Sequence, residues 1–182
     1  MKKFVIIILM FPAMSYALET RKDYFLKPQI GGWFGPITPV FDTAKNVETD
    51  LGGGLFFRYN TPFQLLKIGI DSSYQHYVSR GVNELYLVPL YGSFIFLLPF
   101  NIPIRFQLKA GAGGCWVRIM PDELSQWDLM FMLGFELSFP AGRIFNIGLR
   151  IDYLNINETM VIKNAKKNGH VINTGIALYF NI

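Results

Sequence analysis

A thirteen-residue stretch from Trp127 to Phe139, WDLMFMLGFELSF, constrains the fold of this chain more than any other part of the sequence. Every odd-numbered residue in it is large and apolar, whereas the even-numbered residues are charged, small or Met. Side chains alternate between the two faces of a β-strand, so this period of two predicts a strand and argues against a helix. The stretch exceeds the usual strand length of about 5–6 residues. Since about 9–11 tilted residues suffice to cross a bilayer, we expect a strand that is long enough to span a membrane.

The first seventeen residues have the pattern of a secretory signal peptide. Lys2 and Lys3 form a basic start, an apolar segment runs from Phe4 to Met14, and Ser15-Tyr16-Ala17 is a small-x-small cleavage site. The apolar segment is too short for a spanning helix, which needs about 20 residues. We therefore predict a leader over residues 1–17 and a single exported domain over residues 18–182. The formal charge of +4 includes Lys2 and Lys3 of the leader, so it does not indicate a nucleic-acid partner.

Residues 85–104, LYLVPLYGSFIFLLPFNIPI, contain no charged side chain and have the hydropathy of a transmembrane helix. Three prolines, Pro89, Pro99 and Pro103, argue against that interpretation, because each interior proline costs a helix about 3 kcal/mol and a hydrogen bond. The segment is better explained by two strands joined at a tight turn around Pro99-Phe100-Asn101.

The same alternation recurs along the chain and predicts eight strands with connections that alternate between polar loops and tight turns. Loops are expected at 36–50, 79–83, 118–126 and 157–169, and proline-containing turns at 60–64, 98–103 and 140–144. This asymmetry is typical of a transmembrane up-and-down barrel. The predicted fold class is therefore an all-β, eight-stranded antiparallel up-and-down transmembrane β-barrel. Its predicted strands are 25–35, 51–59, 65–78, 84–97, 104–117, 127–139, 145–156 and 170–182.

Alternation does not by itself say which face of the sheet lines the interior. A soluble barrel would place the apolar face inside. Here charged residues are 16% of the chain, against about 25% in ordinary soluble domains, and the interior of an eight-stranded barrel is just wide enough to be filled by side chains. We therefore expect the apolar face to meet lipid and the polar face to fill the interior. Nine aromatic residues near strand ends suggest interfacial girdles: Trp33, Phe34, Tyr59, Phe63, Tyr77, Trp116, Trp127, Phe139 and Phe145.

The segment from Val88-Pro89-Leu90 to the glycine-rich run at 109–114, followed by the terminal strand 176–182, resembles the small outer-membrane β-barrel family. That family includes the transmembrane domain of outer membrane protein A and the outer membrane proteins X and W. The resemblance implies location in the outer membrane of a double-membraned bacterium, with outer-membrane lipid as surroundings. The final strand is similar to the signal that the barrel-assembly machinery reads, although it ends in Ile182 and its aromatic Phe180 lies two residues earlier.

Charged residues on the polar face are the best candidates for function. They predict either a plug of ion pairs that closes the interior or a narrow, gated pore with a weak preference for anions. We expect Glu136 to meet Arg150 and Lys109 on the flanking strands. The interior polar network is predicted to contain Arg58, Lys67, Asp71, Arg105, Lys109, Glu136, Arg150 and Asp152.

The loop at 157–169 carries a small basic patch formed by Lys163, Lys166 and Lys167. This patch could contact the phosphates of lipopolysaccharide or a host polyanion, or it could simply be solvated. With the loop at 36–50 it is the expected site for an extracellular ligand. A structural or surface-binding role is thus the leading hypothesis, and a small channel for ions or small apolar molecules is the first alternative.

A lipid-A-modifying enzyme is the second alternative, and it depends on the two histidines of the exported domain, His76 and His170. His76 is followed by Ser79 and Glu84, which could supply a nucleophile and an acid, but the spacing matches no catalytic signature. The single Cys115 excludes an internal disulfide and is expected to be a small packed residue. Two histidines on distant strands and one cysteine do not supply the three or four ligands of a metal site, so the sequence predicts no catalytic residues, metal or cofactor.

Overall fold

A computed structural model describes residues 27–63, 65–79, 84–100, 104–120, 124–141, 144–157 and 168–182. Eight strands occupy most of these ranges, and one 3-10 turn, η1 (Thr43–Lys45), lies between the first two strands. In the described part of the chain, no helix is long and apolar enough to cross a membrane. The strands are β1 (Gln29–Pro39), β2 (Asp50–Asn60), β3 (Leu66–Val78), β4 (Glu84–Leu97), β5 (Arg105–Met120), β6 (Leu124–Pro140), β7 (Phe145–Asn157) and β8 (Gly169–Asn181).

Each strand pairs antiparallel with its neighbours in chain order, and β1 pairs with β8 to close the sheet into a barrel. The closing register runs from Gln29 opposite Asn181 to Pro39 opposite Val171. Closure leaves no free sheet edge, so backbone N–H and C=O groups find partners within the sheet. The predicted eight-stranded, antiparallel, up-and-down barrel is confirmed.

The alternation in β6 places its apolar side chains outside the barrel. Leu129 and Leu133 are exposed, whereas Met130, Met132 and Glu136 are buried inside. The same parity fixes β4, whose register was ambiguous because both of its faces are apolar. Here Leu87, Tyr91, Ser93, Ile95 and Leu97 face inward, and Leu90 and Phe94 face outward.

Four predicted strand boundaries were wrong by three or more residues, the first being the start of β1, which lies at Gln29 and not at residue 25. β1 continues through Pro36 to Pro39, so the first loop covers only residues 40–49. Pro36 has no N–H to donate, and the pairing of β1 with β8 skips Gly35 and Pro36 before it resumes at Ile37 opposite Asn173. β5 and β6 extend toward each other through the pairs Val117–Gln126 and Arg118–Ser125. The expected loop at 118–126 therefore shrinks to residues 121–123.

Two of the aromatic residues expected at the membrane interface lie inside the barrel instead. Trp33 is 5% exposed and Tyr77 is fully buried, because their positions have the inward parity of β1 and β3. Phe34, by contrast, is 62% exposed. The inward or outward parity of a residue therefore predicts the location of its aromatic side chain better than its proximity to a strand end does.

The leader at 1–17 and the basic patch of Lys163, Lys166 and Lys167 lie outside the described residues.

The interior differs between the two ends of the barrel. We call the end with Gln29, Asn181 and the connections 61–65, 98–104 and 141–144 the terminal end, and the opposite one the loop end. Toward the loop end the interior is mainly apolar, and Val47 of the 40–49 connection joins this cluster from above. The cluster also includes Ile37, Tyr77, Leu87, Cys115, Val117, Met130, Met132, Leu154, Ile156 and Val171. Most buried charged side chains lie deeper, toward the terminal end, whereas Asp128, opposite Cys115, is buried at the loop end.

Candidate functional site

An ion pair between Arg58 and Glu136 crosses the interior of the barrel. The Arg58 guanidinium donates to both carboxylate oxygens of Glu136, with Nη1–Oε1 at 3.0 Å and Nη2–Oε2 at 2.6 Å. Both side chains are completely buried. Their strands, β2 and β6, are four apart in a ring of eight and therefore lie on opposite walls. The pair is a bidentate bridge across the lumen, the strongest geometry for an arginine and a carboxylate.

A second ion pair joins Lys109 on β5 to Asp152 on β7, with Nζ–Oδ1 at 2.6 Å. The Lys109 ammonium also lies 3.7 Å from Glu136 Oε2. The two pairs are thus connected, and Glu136 lies between two cations.

Arg150 connects this group to the opposite wall of the barrel. Its guanidinium contacts Asp152 on the same strand, with Nε–Oδ2 at 2.6 Å. It also reaches Asp71 on β3, with Nη2–Oδ1 at 3.2 Å, and donates to the Tyr91 hydroxyl at 3.2 Å. β3 and β7 are again four strands apart, so this is a second crossing of the lumen.

We call this connected group the ion-pair layer. It contains three bases and three acids, so its formal charge is zero. Mutual pairing offsets the cost of removing these charges from water, and loss of one partner leaves a charge uncompensated. Its members are Arg58, Asp71, Lys109, Glu136, Arg150 and Asp152.

Neutral side chains hold the two arginines in place. The Arg58 guanidinium lies 4.1 Å from the ring centre of Phe56 and 5.2 Å from that of Tyr179. The Arg150 guanidinium lies 5.0 Å from the ring centre of Trp33. These distances are within the range of cation–π attraction. Aromatic rings therefore occupy the space beside the ion-pair layer and restrict how its arginines can move.

The remaining two predicted network residues, Lys67 and Arg105, lie nearer the terminal end. Lys67 Nζ donates to the backbone oxygen of Lys27 at 2.5 Å. Arg105 Nη1 donates to Asn146 Oδ1 at 3.3 Å. The structure therefore brings six of the eight predicted residues into one connected layer and places these two below it.

Glu136 was expected to meet both Lys109 and Arg150. It lies 3.7 Å from Lys109, as expected, but the expected ion pair with Arg150 was wrong. The two residues are direct cross-strand partners on β6 and β7. Arg150 nevertheless directs its guanidinium toward Asp152 and Asp71, while Glu136 pairs with Arg58. In a narrow barrel, long side chains reach the opposite wall. The order of the strands alone therefore does not reveal which charged residues pair.

Gly134 is a member of the site that sequence reasoning missed. It is the cross-strand partner of both Lys109 and Asp152. A Cβ atom placed on Gly134 would overlap Asp152 Oδ1 and come within 3.0 Å of Lys109 Cε. The absence of a side chain therefore leaves the space through which the Lys109–Asp152 pair forms. A glycine at an inward position between two charged strands was the available signal.

The histidine candidates do not assemble a catalytic group. His76 Nε2 lies 3.4 Å from Glu84 Oε2 on the outer face of the barrel. Ser79 is three residues further on, an odd separation that points it to the other face, where it is buried. His170 instead forms a 2.7 Å hydrogen bond with the Tyr153 hydroxyl.

Cys115 is buried as a free thiol. Among the residues that the structure describes, no group of three or more His, Cys, Asp and Glu side chains is arranged to hold a metal ion.

The sequence matches no protein-family model and no curated protein. Solved structures do resemble the barrel. Neisserial surface protein A aligns with a TM-score of 0.65 and 11% identity over 85% of this chain and 97% of its own. The N-terminal β-barrel domain of Pseudomonas aeruginosa OprF aligns with a TM-score of 0.56 and 14% identity over 86% of this chain and 98% of its own. The outer membrane protein OprG from Pseudomonas aeruginosa aligns with a TM-score of 0.51 and 14% identity over 88% of this chain and 99% of its own. The chain therefore has the fold of the small outer-membrane β-barrels.

Replacement of Glu136 by Gln tests the Arg58–Glu136 bridge. We expect the free energy of unfolding to fall by about 3–5 kcal/mol, because Arg58 would remain buried without its counter-charge. Denaturant titration of the barrel in vesicles measures this loss. The matched control is Glu84→Gln, where an exposed acid loses only surface partners and the change should stay below about 1 kcal/mol. Equal effects of the two substitutions would contradict the proposed coupling.

Substitution of Gly134 by Ala tests whether the Lys109–Asp152 pair needs the space that the glycine leaves free. The new methyl group would force Asp152 away from Lys109 and Arg150, so we expect a loss of about 1–3 kcal/mol in the free energy of unfolding. Gly92→Ala is the control, since the nearest atom to a Cβ there is the Gly69 oxygen at 3.9 Å. That change should stay within about 0.5 kcal/mol. If both variants unfold like the parent protein, the steric argument is wrong.

Proposed function

We propose that this chain is an outer-membrane barrel with a structural or surface-binding role and that its lumen is closed by the ion-pair layer. The observation that carries this proposal is the pair of contacts that cross the interior, Arg58–Glu136 and Arg150–Asp71. A layer of ion pairs that extends from one wall to the opposite wall would block a wide aqueous path at that level. The apolar cluster at the loop end supports closure from the other side.

Location in the outer membrane is part of the same proposal. It is supported by the shared barrel fold, by the exposed apolar residues around the barrel and by the leader-like residues 1–17. Export through the leader and insertion by the barrel-assembly machinery would place the loop end outside the cell and the terminal end in the periplasm, as is usual for such barrels.

The loop end is the proposed binding surface. Its two longest connections are 40–49 and the residues between β7 and β8, and the latter contain Lys163, Lys166 and Lys167. Three ammonium groups in one connection suit the phosphates of lipopolysaccharide or another polyanion. We propose lipopolysaccharide as the lipid that these lysines contact.

A small ion channel is the second candidate, and one observation favours it. Both central carboxylates are shared: Glu136 lies near Arg58 and Lys109, and Asp152 near Lys109 and Arg150. A carboxylate with two cationic neighbours can exchange partners without becoming unpaired. Such an exchange of partners is the step by which the ion-pair layer would open in a channel.

Conductance in planar bilayers distinguishes the two roles. For a closed barrel we expect no steady conductance from the parent protein, and we expect discrete openings in Glu136→Ala and Arg150→Ala, because each substitution removes one lumen-crossing contact. Arg118→Ala is the control, since Arg118 lies on the outer face of β5. Steady conductance in the parent protein, altered by Glu136→Ala, would instead support the channel. The closed-lumen proposal fails if the parent conducts and neither lumen substitution changes the current.

The lipid-A-modifying enzyme is not proposed, because the described residues provide no supporting geometry. His76 lies on the outer face of β3, whereas Ser79 follows the end of that strand and is buried, so the two are not arranged as a base and its nucleophile.

A further inference from the structure

A row of four polar side chains crosses the outer face of the barrel near its loop end. Each member lies directly opposite the next in the antiparallel pairing of β3 with β4, β4 with β5 and β5 with β6. Side chains in such positions have Cβ atoms about 4.5–5.5 Å apart, so neighbours in the row can contact one ligand together. All four have the outward parity of their strands. We call this group the polar row, and it consists of His76, Tyr86, Arg118 and Ser125.

The polar row lies at the loop-end edge of an apolar outer surface. Trp116 and Trp127, which pair with each other, are the next outward positions toward the terminal end. Beyond them the outward positions of β4 are apolar as far as Phe96, which is ten positions from Tyr86. At about 3.3 Å per residue and a tilt of about 40°, ten residues rise about 25 Å, the height of the apolar band of outer-membrane barrels. The polar row is therefore at the level of lipid headgroups.

Arg118 is a cation of this row that has no acidic partner. Among the residues that the structure describes, no acid forms an ion pair with it. Glu84 on the outer face of β4 has other contacts, since the Tyr86 hydroxyl donates to its Oε2 atom at 2.5 Å and His76 Nε2 lies 3.4 Å from the same oxygen. The rings of His76 and Tyr86 stack at 4.5 Å. Glu84 is thus engaged by β3 and β4, whereas the Arg118 charge on β5 is available to a group from outside the chain.

The surroundings of Arg118 suit a phosphate that carries acyl chains. A guanidinium presents paired N–H groups that match two oxygens of a phosphate. Ser125, which is exposed and directly opposite Arg118, adds a hydroxyl that can donate to the same group. Trp116 and Trp127 lie one step lower, where tryptophan rings commonly meet the headgroup level. Because the apolar surface continues beyond these rings, the arrangement fits an amphiphile better than a soluble anion.

We propose that the polar row binds the phosphate of a membrane lipid headgroup. Arg118 would contact the phosphate oxygens, Ser125 would be a second donor, and the acyl chains would lie along the apolar surface of β4, β5 and β6. Assignment of this lipid to the outer leaflet rests on the proposed location in the outer membrane, but the phosphate contact itself does not. The site is on the wall of the barrel and is separate from the lysine-rich connection between β7 and β8.

Quenching of Trp127 by brominated lipids tests this proposal, because this residue is the outward position next to Ser125 on β6. The mature protein, with Trp33 and Trp116 replaced by Phe, is placed in phosphatidylcholine vesicles that contain increasing fractions of brominated phosphatidic acid or brominated phosphatidylcholine. We expect half-maximal quenching at an about fivefold lower fraction of the phosphatidic acid, the ratio for one arginine–headgroup contact. Equal quenching by the two lipids at every fraction would overturn the proposal. Weak quenching by both would mean that a second copy covers this face and would overturn it as well.

Arg118→Gln is the decisive variant, and it should reduce the fivefold preference for phosphatidic acid to about one. Lys45→Gln is the matched control, because it removes the same charge from the loop end, where Lys45 forms an exposed ion pair with Asp42. The preference should be unchanged in this control. Resistance to unfolding in SDS without heating checks that each variant is folded.

A preference that persists in folded Arg118→Gln would overturn the site and would leave the proposed contact of the loop lysines intact. An equal loss of preference in Lys45→Gln would mean general attraction to surface charge, and it would also overturn the site. Since both leaflets of these vesicles contain the same lipids, the result does not depend on the cellular location of the barrel.

Discussion

The pairing of β1 with β8 is the constraint on which the rest of this structure depends. A sheet of eight strands that faces lipid cannot leave an edge unpaired, because each unsatisfied backbone group in hydrocarbon costs several kcal/mol. Closure also fixes the parity of every strand, and thereby decides which side chains fill the narrow interior. The skip at Gly35 and Pro36 shows that this seam tolerates one missing donor without losing its register.

Once the barrel is closed, its interior must be filled, and this chain fills it in three levels. The loop end is packed with apolar side chains, including Met130 and Met132. The ion-pair layer follows, with its charges balanced across opposite walls. Buried polar side chains, among them Gln29, Asn146 and Asn181, complete the terminal end. In this order, the apolar cluster and the ion-pair layer are the two levels to which we attribute the proposed closure of the lumen.

The alternation of apolar and polar residues along each strand made most of the fold predictable from the sequence. The thirteen-residue alternation of β6 and its weaker counterparts elsewhere gave eight strands and their inward charges. Contacts across the lumen were not predictable, since the partner of Glu136 depends on the reach of Arg58 from the opposite wall. Local features also misled: Pro36 suggested a loop although it lies within a strand, and Trp33 suggested a membrane interface although it packs beside Arg150. Tertiary geometry prevailed over local signals in each of these cases.

The central claim is that the apolar face of the barrel meets lipid while the charged face is enclosed. Fluorescence of single-tryptophan variants in vesicles of brominated lipid tests it directly. One variant keeps only Trp127, which is 61% exposed on the outer face, and the other keeps only Trp33, which is 5% exposed inside. We predict strong quenching of Trp127 by bromine in the acyl chains and little quenching of Trp33. Quenching of Trp33 equal to or greater than that of Trp127 would contradict the account.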